Sequence, residues 1–323
     1  MPESIRTIVV GVATLAHDDP AHPHAGEDPV LAPAVELARG LGALLHVVHV
    51  YEIPTPVLAA YAQYVPYVDE ELRGRYGRDV LARLEAQVAR FGYDRIRCHS
   101  VEGSPGRTLV ELASREHAGL IVVGATRRGR FWRNLLGTTA DRVIRGSPVP
   151  VLVVHQPFAA PVRRVLLTTD LSHESARLHD RGADTAVALF GDRLALRTLM
   201  VVWFDVLLPP PLKEDALREE AQAELRAFVA ERPRGARIEP RVRFGEVARE
   251  VVREAEEWQA DLVVLGTHGR SGFSRLALGS TAAATLRGAC CNVLVVPRAA
   301  VAVAPRLVAE PALEIAPRPA LAL

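Results

Sequence analysis

Lysine is almost absent from this 323-residue sequence, in which Lys213 is the only one. A phosphate-binding P-loop needs the pattern G-x-x-x-x-G-K-[ST], whose lysine reaches the phosphates. No such pattern occurs here, so a lysine-based P-loop is excluded. The formal net charge of +1 also gives no general attraction to nucleic acid or to a membrane surface. We therefore predict neither nucleic acid nor a membrane as a partner.

Cysteine and long apolar runs are scarce as well. The three cysteines, Cys98, Cys290 and Cys291, lack the C-x-x-C spacing of zinc and redox sites. The histidines between residues 17 and 24 lie in a segment rich in Pro and Asp and are interpreted as solvated residues rather than metal ligands. No apolar run is long enough to cross a bilayer, and the first residues do not have the pattern of a secretion signal. We expect a cytoplasmic protein with reduced thiols and no metal ligands of its own.

The chain contains an internal repeat. The segment that begins at Gly119 aligns without a gap with the segment that begins at Asp261, and RTIVVGVA near the start aligns with RRVLLTTD. Self-similarity of this kind indicates two copies of one structural unit. We predict one domain at residues 1–160, a second at 161–300, and an Ala- and Pro-rich tail at 301–323 that is extended or disordered.

Each copy alternates short apolar runs with helical patterns. VLLTTD and LVVLGT are typical of buried strands, whereas EVAREVVREAEEW has apolar residues at helical spacing. This alternation predicts an α/β fold in which each copy is a doubly wound five-stranded parallel sheet. In such sheets ligands bind outside the carboxyl ends of the strands, where the strand order reverses.

A glycine-rich stretch, GTHGRSGFSRLALGST, occupies residues 266–281 directly after a predicted strand. Gly266, Gly269 and Gly279 allow a ligand to approach the backbone closely. Ser280 is expected to cap the helix STAAATLRG, and the N terminus of that helix is suited to a phosphate group. The alternative is a tight turn with a serine cap that binds nothing.

The spacing G-x2-G-x9-G-[ST] resembles the signature of the universal stress protein family, and the two copies resemble the tandem members of that family. The family's fold is adenine-nucleotide α-hydrolase-like. In its ATP-binding members an aspartate after the first strand contacts the nucleoside, and the glycine loop holds the ribose and the phosphates. The resemblance implies that the second copy binds ATP, with Mg²⁺ held through the phosphates. The binding residues that it implies are Asp170, Thr198, Gly266, Gly269, Gly279, Ser280 and Thr281.

Asp170 is suited to this role by its chemistry as well. It follows the strand VLLTT and precedes LSHES, which places it at the carboxyl edge of the predicted sheet. A carboxylate there can accept hydrogen bonds from ribose hydroxyls. The alternative is that Asp170 only caps the next helix, a role for which Ser172 is equally suited, and both roles can hold together.

The first copy departs from the nucleotide-binding pattern. Ala13 stands at the position of Asp170 and cannot accept a hydrogen bond, and Arg127 stands at the position of Gly269. We therefore predict that the first copy has a degenerate nucleotide motif and does not bind ATP in the manner of the family. The arginine-rich segment 127–133 is either a solvated rim, an anion site or a contact to the other copy's site.

The last apolar run of each copy would be an exposed sheet edge, which proteins avoid. Such strands commonly pair between domains in this family, so we expect the two copies to pack as a pseudo-dimer, and a homodimer of chains remains open. No nucleophile–base pair is evident, and no catalytic residue is predicted. The sequence favours a regulatory nucleotide sensor of the stress response that binds an adenine nucleotide and an unidentified protein partner. The alternatives are a nucleotide-free interaction module and a slow ATPase.

Overall fold

The computed structural model describes residues 5–13, 28–51, 68–125, 136–158, 161–203, 214–232, 234, 237–267 and 278–298. Several residues singled out above lie outside these ranges, namely Gly269, the arginine-rich segment 127–133, the histidines between residues 17 and 24, and the tail 301–323.

The described residues form ten strands, five in each copy. Those of the first copy are β1 (Thr7–Val12), β2 (Leu44–Tyr51), β3 (Ile96–Glu102), β4 (Leu120–Gly124) and β5 (Val151–Val154). Those of the second copy are β6 (Arg164–Thr169), β7 (Ala195–Val202), β8 (Ile238–Phe244), β9 (Leu262–Gly266) and β10 (Asn292–Val296). The central strands form because their sequences are continuous apolar runs that are buried on both faces, such as VLVV in β5.

The described helices connect these strands. In the first copy they are α1 (Leu31–Leu41), α2 (Val68–Ala89), α3 (Pro105–Arg115) and α4 (Thr138–Gly146). In the second copy they are α5 (His173–Phe190), α6 (Glu214–Ala230), α7 (Val247–Glu257) and α8 (Ser280–Gly288).

Helix α7 shows why these segments are helical. The side chain of Glu246 caps it by accepting hydrogen bonds from the backbone N–H groups of Ala248 and Arg249. Ala248, Val251 and Ala255 are buried at helical spacing, so one face of the helix packs on the sheet.

The two copies form one continuous sheet with the strand order β3-β2-β1-β4-β5-β10-β9-β6-β7-β8. Within each copy all neighbouring strands are parallel. The order reverses between β1 and β4 in the first copy and between β6 and β9 in the second. The predicted fold class, two tandem five-stranded parallel sheets, is confirmed.

The last strands of the copies pair with each other, as the edge-strand argument predicts. Strands β5 and β10 are antiparallel, with Leu152 opposite Leu294. Asn292 adds a polar contact across this boundary, because its Oδ1 accepts hydrogen bonds from the backbone N–H groups of His155 at 2.9 Å and Gln156 at 3.2 Å. The pairing makes the two copies a pseudo-dimer within one chain.

Successive residues of each strand point to opposite faces of the sheet and enter two separate core layers. Ile8 and Val10 pack in the layer covered by α1, α2, α5 and α6. Val9 packs in the layer covered by α3, α4, α7 and α8. No helix in the described part of the chain is long and apolar enough to cross a membrane.

Two histidines, the buried His46 and the half-buried His99, form a pair between β2 and β3. The rings of His46 and His99 are stacked with centroids 5.1 Å apart, and Nδ1 of His46 lies 2.9 Å from Nε2 of His99. Burial lowers the pKa of both rings, in His99 to about 4 with a further contribution from His46. One neutral ring donates its N–H to the other, a contact that cannot form when both rings carry protons on the facing nitrogens.

Replacing Asn292 by alanine is expected to destabilise the fold by about 1–3 kcal/mol. The change removes the acceptor of two backbone donors at a position where the asparagine itself is only 2% exposed. Urea unfolding of Asn292→Ala and of the control Gln156→Ala measures the difference. The exposed Gln156 side chain is expected to contribute less than about 0.5 kcal/mol, and equal effects of the two changes would contradict the role assigned to Asn292.

The histidine pair predicts a specific loss of stability in acid. In the unfolded chain these rings bind protons below about pH 6.5, whereas in the folded protein His99 does so only near pH 4. The free energy of unfolding should therefore decrease as the pH falls from about 6.5 to 4, by on the order of 1–2 kcal/mol at pH 5 after allowance for solvent screening.

The double variant His46→Leu/His99→Leu isolates this contribution, since all other titrating groups are retained. Chemical unfolding at pH 7 and at pH 5 should show a smaller decrease for the double variant than for the wild type. A decrease of the same size in both proteins would mean that the pair does not titrate as described.

Candidate functional site

The candidate site lies where β6 and β9 end side by side. Leu167 of β6 is paired with Val264 of β9, and each strand ends two residues later. Asp170 and Thr267 therefore leave the sheet next to each other at its carboxyl edge. This is also the point where the strand order reverses, which is the usual ligand crevice of such sheets.

Asp170 shapes the turn that leads into α5. Its Oδ1 accepts hydrogen bonds from the backbone N–H of Ser172 at 3.0 Å and from the Ser172 hydroxyl at 2.6 Å. The Ser172 Oγ in turn accepts from the backbone N–H of Ser175 and caps the helix. Of the two alternatives considered for the cap, Ser172 is the capping residue, and the half-buried Asp170 holds it in place.

The hydroxyl groups of Thr169 and Ser175 stabilise this turn through hydrogen bonds. The buried Ser175 Oγ lies 3.1 Å from the Thr169 Oγ1 and accepts a hydrogen bond from the backbone N–H of Asp170 at 3.2 Å. Thr169 Oγ1 accepts a hydrogen bond from the backbone N–H of Leu171. Leu171 has a φ of 62°, a left-handed conformation that costs an L-residue about 1–2 kcal/mol. The sequence argument missed Thr169 and Ser175, although the spacing T-T-D-L-S-x-x-S is a visible signal.

The N terminus of α8 differs from the prediction. Gly279, not Ser280, is the N-cap, since its carbonyl accepts the first intrahelical bond from Ala283. Ser280 is the first residue of the helix, and a glycine cap offers no side chain to the N–H groups of the first turn. The backbone N–H groups of Ser280 and Thr281 thus belong to a first turn whose N-cap residue makes no side-chain hydrogen bond. A helix N terminus of this kind favours an anion.

Thr267 holds both ends of the glycine-rich loop together. Its carbonyl accepts a hydrogen bond from the backbone N–H of Gly279 at 3.0 Å, and its own N–H donates to the carbonyl of Val296 at 3.2 Å. Its Oγ1 accepts from the backbone N–H of Arg298 at 3.3 Å. A Cβ on Gly279 would lie 3.4 Å from the Thr267 carbonyl oxygen, which is an ordinary van der Waals contact.

Thr198, which the resemblance implies as a binding residue, is not brought to this edge by the structure. Thr198 lies in the middle of β7, and its side chain is fully buried beneath α5. Its Oγ1 is 2.8 Å from Nε2 of His179, a helix residue 19 positions earlier in the chain. The carboxyl end of β7, which is beside Asp170, lies four residues further on at Val202.

The other predicted residues within the described ranges do meet at one edge of the sheet. Gly266 ends β9, and its neighbour Thr267 anchors the loop to the start of α8. The group that shares this edge consists of Asp170, Gly266, Gly279, Ser280 and Thr281.

At the equivalent edge of the first copy, Asp28 and Val30 contact the ends of β1 and β4. The backbone N–H of Ala13 donates to Oδ2 of Asp28 at 2.7 Å, and Oδ1 of Asp28 accepts from the N–H of Val30 at 3.1 Å. Val30 is 1% exposed, and its Cγ1 lies 3.7 Å from where a Cβ on Gly124 would stand. The start of α1 thus packs against the end of β4, at the point where the second copy has its crevice.

The first copy nevertheless keeps the glycine turn. Gly137 is the N-cap of α4, and its N–H donates to the carbonyl of Ala125 at 2.7 Å, as Gly279 does to Thr267. The difference between the copies is therefore concentrated at the end of the first strand rather than at the helix that follows the fourth.

The described residues contain no cluster of three or more His, Cys, Asp and Glu side chains that could hold a metal ion.

Comparison with known proteins agrees with the fold and the repeat. The model of the Universal stress protein family matches residues 5–155 and again residues 161–297. A universal stress protein of Mycolicibacterium smegmatis is 34% identical over 203 residues, which are 60% of this chain and just under two thirds, 66%, of that protein. One of Methanocaldococcus jannaschii is 31% identical over 124 residues, which are 38% of this chain and 72% of that protein.

Solved structures share the whole two-domain architecture. A functionally unknown protein from Pseudomonas aeruginosa has a TM-score of 0.62 at 20% identity, over 92% of this chain and 94% of its own. A universal stress protein from Archaeoglobus fulgidus has a TM-score of 0.57 at 16% identity, over 91% and 99% respectively. With the family matched once on each domain, this chain belongs to the universal stress protein family as a tandem two-domain member.

Proposed function

We propose that the second domain binds ATP in the crevice between β6 and β9 and acts as a nucleotide sensor in a stress response. The observation that carries this proposal is that a carboxylate and a helix N terminus without a side-chain cap share one sheet edge at the reversal of strand order. Occupancy of the crevice would change the affinity of the protein for a protein partner.

The two groups suit opposite ends of a nucleoside phosphate. The Asp170 carboxylate would accept hydrogen bonds from the ribose hydroxyls. The backbone N–H groups of Ser280 and Thr281, together with the helix dipole, would bind the phosphates. Mg²⁺ bound to the phosphates would neutralise charge that a P-loop lysine neutralises in other nucleotide-binding proteins.

We propose a single nucleotide per chain. In the first domain Ala13 offers no carboxylate, its N–H donates to Asp28, and Val30 packs beside the end of β4. We also propose a cytoplasmic location. A homodimer of chains would need a surface other than β5 and β10, because those strands already pair with each other.

Replacing Asp170 by alanine is expected to weaken ATP binding about 10- to 100-fold. The change removes charge-assisted hydrogen bonds that are each worth roughly 1.5–3 kcal/mol. Calorimetric titration with ATP and Mg²⁺ measures the change. Ser172→Ala is the matched control, since it removes the helix cap but keeps the carboxylate, and it should bind ATP within about threefold of the wild type.

The two variants distinguish a direct contact of Asp170 with the ribose from a purely structural role of Asp170 in the turn. If Ser172→Ala loses as much affinity as Asp170→Ala, then Asp170 acts only by shaping the turn, and the assignment of ribose contact is wrong.

Replacing Gly279 by valine is expected to weaken ATP binding, because its Cγ atoms would extend beyond a Cβ that already contacts the Thr267 carbonyl oxygen at 3.4 Å, in the turn that leads to the N terminus of α8. Gly137→Val changes the equivalent cap of the first domain and should leave ATP affinity unchanged. Titration of both variants, with circular dichroism to confirm folding, tests the pair. Loss of binding in Gly137→Val instead would place the nucleotide in the first domain.

The same samples decide between the proposal and its alternatives. Failure of the wild type to bind ATP at millimolar concentration would favour a nucleotide-free interaction module. Release of inorganic phosphate from bound ATP would identify a slow ATPase.

A further inference from the structure

Trp203 is an unusually exposed aromatic residue close to the candidate site. Its side chain is 62% exposed, and the only other large hydrophobic side chain in the described ranges that is similarly exposed is Tyr76 of the first domain, at 50%. Tyr76 packs edge-on against Tyr51 with ring centroids 5.0 Å apart. Trp203 has no comparable ring contact within the described part of the chain.

The register of the sheet fixes where Trp203 stands. Thr169 of β6 is paired with Met200 of β7, which places Asp170 level with Val201. Trp203 lies two residues further along, about 6–7 Å beyond that level in extended chain. It therefore stands over the carboxyl edge of the sheet, one strand away from Asp170.

The order of the strands indicates which part of a bound nucleotide would lie over which strand. The start of α8 belongs to the β9 side of Asp170, and Trp203 belongs to the β7 side. Neighbouring strands are about 4.8 Å apart. A nucleotide with its phosphates at α8 and its ribose at Asp170, if it continues across the strands in the same direction, places its base over β7.

We propose that Trp203 stacks on the base of the bound nucleotide, an inference that rests on the proposed function. Indole rings stack on any nucleobase, because every base has a π-face. Trp203 would thus add affinity and fix the base end of the ligand without selecting one base. In the first domain the strand β2 ends at Tyr51, and the next residue in the sequence, Glu52, corresponds to Trp203. The aromatic group is therefore present only in the domain that keeps Asp170.

The test compares a ligand that has a base with a ligand that has none. ATP and inorganic tripolyphosphate are titrated calorimetrically into the wild type, Trp203→Ala, Trp203→Phe and the control Tyr76→Ala, all as full chains. Trp203→Ala should bind ATP about 5- to 100-fold more weakly and bind tripolyphosphate within twofold of the wild type. Trp203→Phe should retain ATP affinity within about fivefold, and Tyr76→Ala should match the wild type.

Tryptophan fluorescence gives an independent readout. ATP should quench the emission of the wild type, and Trp203→Phe should lose that quenching although calorimetry still shows binding. Wild-type ATP affinity in Trp203→Ala would overturn the stacking role and leave the proposed function intact. Equal weakening for ATP and tripolyphosphate would also overturn it, since the effect would then not involve the base. No ATP binding by the wild type would overturn both proposals.

Discussion

The antiparallel pairing of β5 with β10 is the constraint on which the rest of the structure depends. It closes the apolar last strand of each domain and joins two five-stranded sheets into one ten-stranded sheet. Because the two strands run in opposite directions, the carboxyl edges of the two domains face opposite sides of the sheet. Each crevice at a strand reversal is thus separate from the other, and one can diverge without altering its counterpart.

The two domains have diverged in that way. The glycine turn before the last helix is kept in both, with Gly137 and Gly279 bonded to equivalent carbonyls. The end of the first strand differs, because the second domain has Asp170 in a hydroxyl-rich turn and the first has Ala13 tied to the buried Asp28. The two sheet edges therefore differ in chemistry, with a carboxylate at the end of the first strand in the second domain and an alanine at that position in the first.

Sequence patterns predicted the fold because continuous apolar runs and helical spacing are local features, and NVLVV of β10 coincides with its predicted run. Sequence patterns did not predict the features that depend on contacts between residues far apart in the chain. Gly279 is the cap of α8 because its N–H bonds to Thr267, twelve residues earlier, which the preference of serine for caps does not reveal. Thr198 is buried against His179 of a packed helix, and the contact of Val30 with the end of β4 depends on the placement of α1.

The central claim is that this chain carries one nucleotide site and that it lies in the second domain. Photo-crosslinking with an 8-azido analogue of ATP, followed by native mass spectrometry and peptide mapping, tests it most directly. The account predicts one adduct per chain, on a peptide from the carboxyl edge of the second domain's sheet. Two adducts per chain, or one on a peptide from the first domain, would contradict it.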